Sequence, residues 1–435
     1  LYALRIEDGR EVWSFTAGGR IDSPPTVHDG LVLFGCADGR VYCLRASDGE
    51  LAWRFRAAPS EHLIVAFGGL ESPWRVHGSV LVTDGLAYCT AGRSTYLDGG
   101  IRLFGLDPKT GRAVHEARLD TWAPTRKDAE NKPFIPGYHM EGALSDILVS
   151  EGGYIYLGQY RLDRALAEQE APYVMPPADD KTVGMDLSNQ PFVVPDENPK
   201  ADYETHQRDW LERTQKGLVA ELRQKYGGWS LGQRQMGLHV LSTGGFLDDA
   251  WYNRTFWMYS ETWPGYYIAH RGAKTGQLLV VGPERTYGVQ AYPSRNLQSP
   301  LFTPGAKGYL LFADRNDNEP VLDYRTRGTT KGWGYTRKEP PVWHHWVPVR
   351  IRAMVLAGQR LFVAGPPDVV EPDDPMAAFE GRKGAVLRVY SAADGKMLAE
   401  RKLDSPPVFD GLIAAAGRLF MCTTDGRVVC FGKTK

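Results

Sequence analysis

The chain has 435 residues, 43% of them hydrophobic, which is enough to bury a large core. Its 51 Lys+Arg against 52 Asp+Glu leave a net charge of −1, a balance that gives no electrostatic reason for nucleic acid or an anionic membrane as partner. No run approaches the roughly 18 apolar residues of a membrane span. The five cysteines (Cys36, Cys43, Cys89, Cys422 and Cys430) form no CxxC or CxxCH, so they are expected as free thiols rather than zinc or haem ligands.

In chain order, Leu1–Ile6 and Glu11–Thr16 read as the last two strands of a β unit. Arg20–Trp53 holds two apolar runs, Leu31–Phe34 and Val41–Leu44, joined at Asp38-Gly39; a third follows Asp48-Gly49 and carries Trp53. Asp-Gly supplies the positive φ that a tight hairpin needs. The runs are continuous, which predicts sheets covered on both faces. Strands are next expected near Arg75–Thr83, Leu86–Thr90, Ile101–Leu106 and Ala113–Leu119. After the proline-bearing loop Thr121–Tyr138, a third unit begins at Gly142 and includes Tyr154–Tyr160.

Residues 162–235 break the pattern and read as an insertion. Their first part is rich in Pro, Asp and Asn; Leu211, Leu218, Leu222 and Tyr226 then keep helical spacing, which predicts a helix near 202–226. Strand character resumes at Leu238, and Leu278–Val281 completes a fourth unit. A fifth covers Tyr287–Tyr324. A sixth uses Val349–Leu356, Arg360–Ala364, Ala385–Tyr390 and Lys396–Leu403, and a seventh runs from Ser405 to Phe431, one strand short.

Asp8-Gly9 and Trp13 return forty positions later as Asp48-Gly49 and Trp53, and Asp425-Gly426-Arg427-Val428 repeats Asp38-Gly39-Arg40-Val41. A period near forty belongs to four-stranded propeller blades. The expected fold is therefore all-β, a β-propeller of four-stranded antiparallel blades in one domain over 1–435, with eight blades or, as the alternative, seven. The segments LYALRIEDGREVW, VYCLRASDGELAW, LFGLDPKTGRAV and RVYSAADGKML resemble the repeat of the PQQ-like propellers, the superfamily of quinoprotein alcohol dehydrogenases and BamB-type outer-membrane assembly lipoproteins. ESPWRVHGSVLV, AGRSTYLDGG and VRIRAMVLAGQRLFVAGPPD resemble a planctomycete-type branch of it. The resemblance implies a periplasmic or cell-envelope location. The sequence opens at Leu1 inside a repeat, so any signal segment is expected upstream.

Propeller sites lie at one end of the channel, by analogy of fold. Polar residues leading into the first strands are the candidates: Trp74, Arg75 and His77; His139 and Glu141; His239; His344, His345, Arg350 and Arg352. Alternation along a strand puts Arg75 with His77, and Arg350 with Arg352. The loop Arg93–Gly100 should sit at the same end, where Arg93 and Asp98 either orient a ligand or pair with each other. Such a cluster predicts a positive field that takes a small anionic or carbohydrate ligand, or a partner protein. Asp314, Asn316 and Asn318 alternate as in a fragment of a calcium loop, without its glycine or distal Glu.

The dehydrogenases of this resemblance use an adjacent Cys-Cys pair, a stacking Trp and a calcium; the chain has no Cys-Cys, which argues against PQQ. The expected function is an extracytoplasmic binding or scaffolding module. The alternative is an enzyme at the same end, redox or carbohydrate-active, using His, Arg and Tyr.

Overall fold

The computed structural model describes residues 1–66, 68–120, 143–144, 146–158, 160–169, 171, 173–174, 233–242, 257–263, 272–290, 308–323 and 334–432. All regular structure among them is β-strand. They belong to two compact units, one of residues 1–174, 208–255 and 261–263, the other of 175–207, 256–260 and 264–435. The insertion at 162–235 lies largely outside the described residues and its helix at 202–226 wholly so. The expected blade count also rests partly on segments outside them.

In the first unit, Thr26–His28, Leu31–Gly35, Arg40–Arg45 and Leu51–Arg56 form a four-stranded antiparallel sheet in chain order, the blade that the repeat predicts. Leu81–Thr83, Leu86–Ala91, Ile101–Leu106 and Ala113–Leu119 form the next. The middle strands are buried on both faces, with Leu33, Phe34, Val41, Cys43 and Leu44 sealed from solvent, which accounts for the unbroken apolar runs. Leu33, Val41 and Cys43 of one sheet share a core with Ala87, Cys89, Phe104 and Leu106 of the other. Tyr2–Leu4 and Glu11–Ser14 form a two-stranded sheet, and Val149–Glu151, Tyr154–Leu157 and Tyr160–Leu162 a three-stranded one.

In the second unit, Ala353–Ala357, Arg360–Gly365, Ala385–Ser391 and Met397–Leu403 form one four-stranded sheet, and Pro407–Ala415, Arg418–Thr423 and Val428–Phe431 a three-stranded one. A further blade departs from the sequence reading. Leu278–Val281 opens it rather than closing the unit before, and is followed by Arg285–Val289, Tyr309–Arg315 and Trp343–Val347. The chain turns at Gly276, where a Cβ would sit 2.8 Å from the carbonyl oxygens of Leu278 and Val289. The hairpin Pro320–Asp323/Gly334–Arg337 interrupts the same blade before its fourth strand, so counting by the period misplaces Trp343.

One contact joins sheet to sheet in both units. The Trp13 indole N–H donates to the Ala46 carbonyl at 2.9 Å, that of Trp53 to Pro108 at 2.9 Å, and that of Trp343 to Ala392 at 3.1 Å. Each acceptor stands three residues before a turn glycine of the following sheet, and the indole lies on that glycine. A Cβ on Gly49, Gly111 or Gly395 would come within 2.6 Å of the ring. These glycines also hold φ of +75°, +72° and +71°, where a side chain is strained in any case. Trp53→Ala should therefore lower stability by about 3 kcal/mol, the low end for a large aromatic because the ring is half-buried. Trp53→Phe should cost about 1 kcal/mol for the lost hydrogen bond, and Gly111→Ala should destabilise through both clash and φ. Denaturant midpoints of the three variants check the order; a neutral Gly111→Ala would show that the ring does not rest there.

Candidate functional site

In each unit the segment leading into a first strand is tied to the loop joining the second and third strands of the same sheet. Gly92 N–H donates to the Arg75 carbonyl at 3.1 Å, and the Trp74 indole to the Asp98 carbonyl at 2.8 Å. The loop Arg93–Gly100 thus sits at the end expected for it. In the second unit Arg350 N–H donates to the Pro366 carbonyl at 2.7 Å and Asp368 N–H to that of Pro348 at 3.0 Å. The tight turns between third and fourth strands lie at the other end of each sheet.

Arg75 and His77 are brought together, each 1% exposed. Three partners that the sequence reading missed join them. Arg75 Nη1 lies 2.5 Å from Glu71 Oε1, and His77 Nδ1 3.6 Å from Asp22 Oδ2, longer than a hydrogen bond. The Arg20 guanidinium binds Asp22 and reaches Glu71 Oε2 at 3.5 Å. Only Glu71 left a local trace, four residues before Arg75; Asp22 and Arg20 come from the lead-in of the preceding sheet. Two guanidiniums face two carboxylates, and burial holds the His77 imidazole below its ordinary pKa, which favours the neutral ring. Counted over the described residues the cluster is charge-balanced, so Glu71 and Asp22 offset the positive field expected around Arg75 and His77. Neither ring nitrogen of His77 has a hydrogen-bond partner among the described residues.

His239, on Gln233–Ser242, is also 1% exposed and stacks on Tyr156 at 3.8 Å with 13° between the rings. Its Nδ1 is 2.6 Å from the Gly237 carbonyl and Nε2 3.1 Å from that of Gly158. A neutral ring has one N–H and serves only one of these acceptors, yet burial holds its pKa down. In the same unit Asp146 is buried, accepting from Ser242 Oγ and, at 2.7 Å, from Ile147 N–H. Burial pushes its pKa up to about 7.

The remaining candidates separate. Arg93 and Asp98 pair with each other, Nη2 to Oδ2 at 2.6 Å. His344 and His345 stand on the fourth strand Trp343–Val347, opposite Phe312 and Leu311, and not in a lead-in segment as expected. The interrupting hairpin shifts the repeat tryptophan, and the histidines with it, to that strand; His345 stacks on Trp343 at 5.6 Å. Arg350 and Arg352 do lie in the lead-in, before Ala353. Arg350 is buried with Asp368, Nη1 to Oδ1 at 3.3 Å. His139 and Glu141 lie outside the described residues.

Asp314 accepts from Arg337 Nε at 2.8 Å and from Asn318 Nδ2 at 3.2 Å. Asn316 bonds Thr286 and the Gly282 carbonyl, each at 2.8 Å. Asp314 and Asn318 of the calcium-like stretch thus bond each other, while Asn316 is turned to Thr286 and Gly282. No group of three or more His, Cys, Asp or Glu among the described residues is placed to hold a metal ion. The cysteines stand apart: Cys36, Cys43 and Cys89 are buried, with thiol pKa values raised to about 12, 11 and 12 by burial, while Cys422 and Cys430 are exposed. Arg75 and Asp314, the groups nearest in kind to those a quinone and its calcium would need, are already paired with Glu71 and Arg337.

Residues 1–137 match the family model of the outer membrane protein assembly factor BamB, so the repeat resemblance is found there independently. The chain is 32% identical over 121 residues to a polyvinylalcohol dehydrogenase of a Pseudomonas species, which is 23% of this chain and 18% of that protein. It is 43% identical over 49 residues to BamB of Burkholderia pseudomallei (strain K96243), 11% and 13% of the two chains. These matches span less than a fifth of the relatives' length. Among solved structures, BamB from Moraxella catarrhalis aligns with a TM-score of 0.42 at 11% identity, covering 98% of this chain and 87% of that one. A quinohemoprotein alcohol dehydrogenase from Pseudomonas putida HK5 aligns with a TM-score of 0.37 at 13% identity, covering 97% and 66%.

Buried titrating groups set opposing pH limits. Asp146 ionises near 3.8 when unfolded and near 7 when folded. Its neutral form stabilises the fold at low pH, and that contribution is lost as pH rises from about 4 to about 7, a loss of about 4 kcal/mol. His77 and His239, held by burial below the ordinary imidazole value of 6.5, act the other way: their contribution is present above 6.5 and lost as pH falls. Asp146→Asn keeps both bonding positions and removes the acid, so the melting temperature of wild type should fall relative to that of the variant between about pH 4 and about pH 7, and the difference should hold level above. Thermal melts by circular dichroism across that range check it; a variant whose melting temperature falls in parallel with wild type would place the titration elsewhere.

Proposed function

We propose that the chain is a binding and scaffolding propeller of the cell envelope, which meets its partner through the loop end of its sheets. The observation that carries this is shared by both units: backbone hydrogen bonds fix a lead-in segment to a loop, Gly92 to Arg75 and Arg350 to Pro366, beside a buried ion pair, Arg75–Glu71 or Arg350–Asp368. Such anchoring positions loops on a rigid sheet, the arrangement that recognition surfaces use. In the second unit the loop 366–384 is long, and its own ion pairs shape it: Lys383 with Glu371 at 2.8 Å and Arg382 with Asp374 at 2.5 Å. Val369, Val370 and Met376 stand about 45% exposed on it, side chains of the kind that protein contacts bury. The match of residues 1–137 to an outer membrane assembly factor supports both the role and the location.

Photo-crosslinking side chains at Leu97 and Val369, both exposed at the loop end, should give protein adducts in the native cell envelope. The same groups at Asp48 and Asp394, in the tight turns of the other end, should give few. Equal labelling from both ends would overturn the reading.

A further inference from the structure

The two buried arginine sites are not equivalent. In the first unit each guanidinium faces a carboxylate. In the second, Arg350 has Asp368, whereas Arg352 makes one hydrogen bond among the described residues, from Nη2 to the Phe379 carbonyl at 2.8 Å, and no ion pair. Arg352 is only half-buried, so most of its five N–H donors remain available to a bound group. Both guanidiniums lie over one phenyl ring, Arg350 at 4.9 Å and Arg352 at 5.9 Å from the Phe379 centroid. Tyr309 closes the floor: it is 1% exposed, its ring lies 5.7 Å from Arg350, and its hydroxyl makes no hydrogen bond among the described residues.

Among the described residues no acid of the overlying loop pairs with Arg352: Glu371, Asp374 and Glu380 pair with Lys383 and Arg382 instead. The same loop presents Val369, Val370, Met376 and Phe379, exposed by 44%, 45%, 45% and 36%. A guanidinium fork matches a carboxylate, and the exposed aliphatic side chains of the loop match an apolar group attached to it.

We propose that Arg352 and Phe379 form a site for a carboxylate that adjoins a bulky apolar group, Arg352 taking the carboxylate and the 366–384 loop the apolar part. An acidic side chain flanked by leucine in a partner peptide and a free branched-chain acid share this chemistry. The site rests on the loop-end reading only for its place on the sheet.

Purified full chain is titrated with acetyl-Leu-Asp-Leu-amide, with its Asn counterpart, and with 4-methylvalerate and acetate, by calorimetry up to millimolar concentration. The Asp peptide or 4-methylvalerate should bind, and whichever binds more tightly names the source. The Asn peptide and acetate should each be weaker by at least about tenfold, the loss of one charge-assisted contact. Arg352→Ala should lose at least as much, Arg352→Lys should fall between, and Phe379→Ala, an exposed position that leaves the fold intact, should weaken binding severalfold. No binding by either acid, equal binding of the Asn peptide, or unchanged affinity in Phe379→Ala and Arg352→Lys would overturn the site. Because the probes are defined and the protein is purified, this can fail while envelope crosslinks at Val369 persist, and it can succeed where they are absent.

Discussion

The seating of a tryptophan on a glycine is the interaction on which the sheets of both units depend. A blade buries its middle strands only if another sheet covers them, and the indole fixes where that cover lies. The bond from Trp13 to Ala46, and its equivalents at Trp53 and Trp343, consume the one polar atom of a large apolar ring. The glycine beneath works twice: its positive φ makes the turn, and its missing Cβ makes the landing surface. Each contact involves only neighbouring sheets, so stability is built from nearest-neighbour terms. Long excursions within a blade, such as that between Arg315 and Trp343, are tolerated because the fourth strand still delivers its tryptophan to Gly395.

Charge at the loop end follows a second constraint. A buried guanidinium without a carboxylate is costly, and breaking such a pair leaves an uncompensated charge. The first unit satisfies this by crossing segments: Glu71 meets Arg75 within one lead-in, while Asp22 and Arg20 reach over from the lead-in before it. The second unit satisfies it for Arg350 and leaves Arg352 half in solvent, where a cation is tolerated. Among the described residues Arg75 therefore has a carboxylate partner that Arg352 lacks.

Much of the fold was legible in the sequence. Asp-Gly turns, unbroken apolar runs and the forty-residue return of tryptophan are local or periodic, and a period is visible without knowing what touches what. The candidate site was legible only in part. Arg75 and His77 were found because alternation along an extended segment is a local rule, and Arg350 and Arg352 for the same reason. His344 and His345 were misplaced because the hairpin at 320–337 broke the count between two strands of one blade. Asp22, Arg20 and Asp368 left no signal, since an isolated charge in a lead-in or a loop belongs to no pattern.

The sequence by itself determined the strands, the four-stranded sheet as the building unit and the tryptophan that joins one sheet to the next, because backbone geometry and burial act over a few residues and recur. Only the tertiary structure decided which charges meet. Electrostatic neutralisation depends on distances between segments remote in the chain, so the same residue type became a sealed ion pair at Arg75 and an open donor at Arg352.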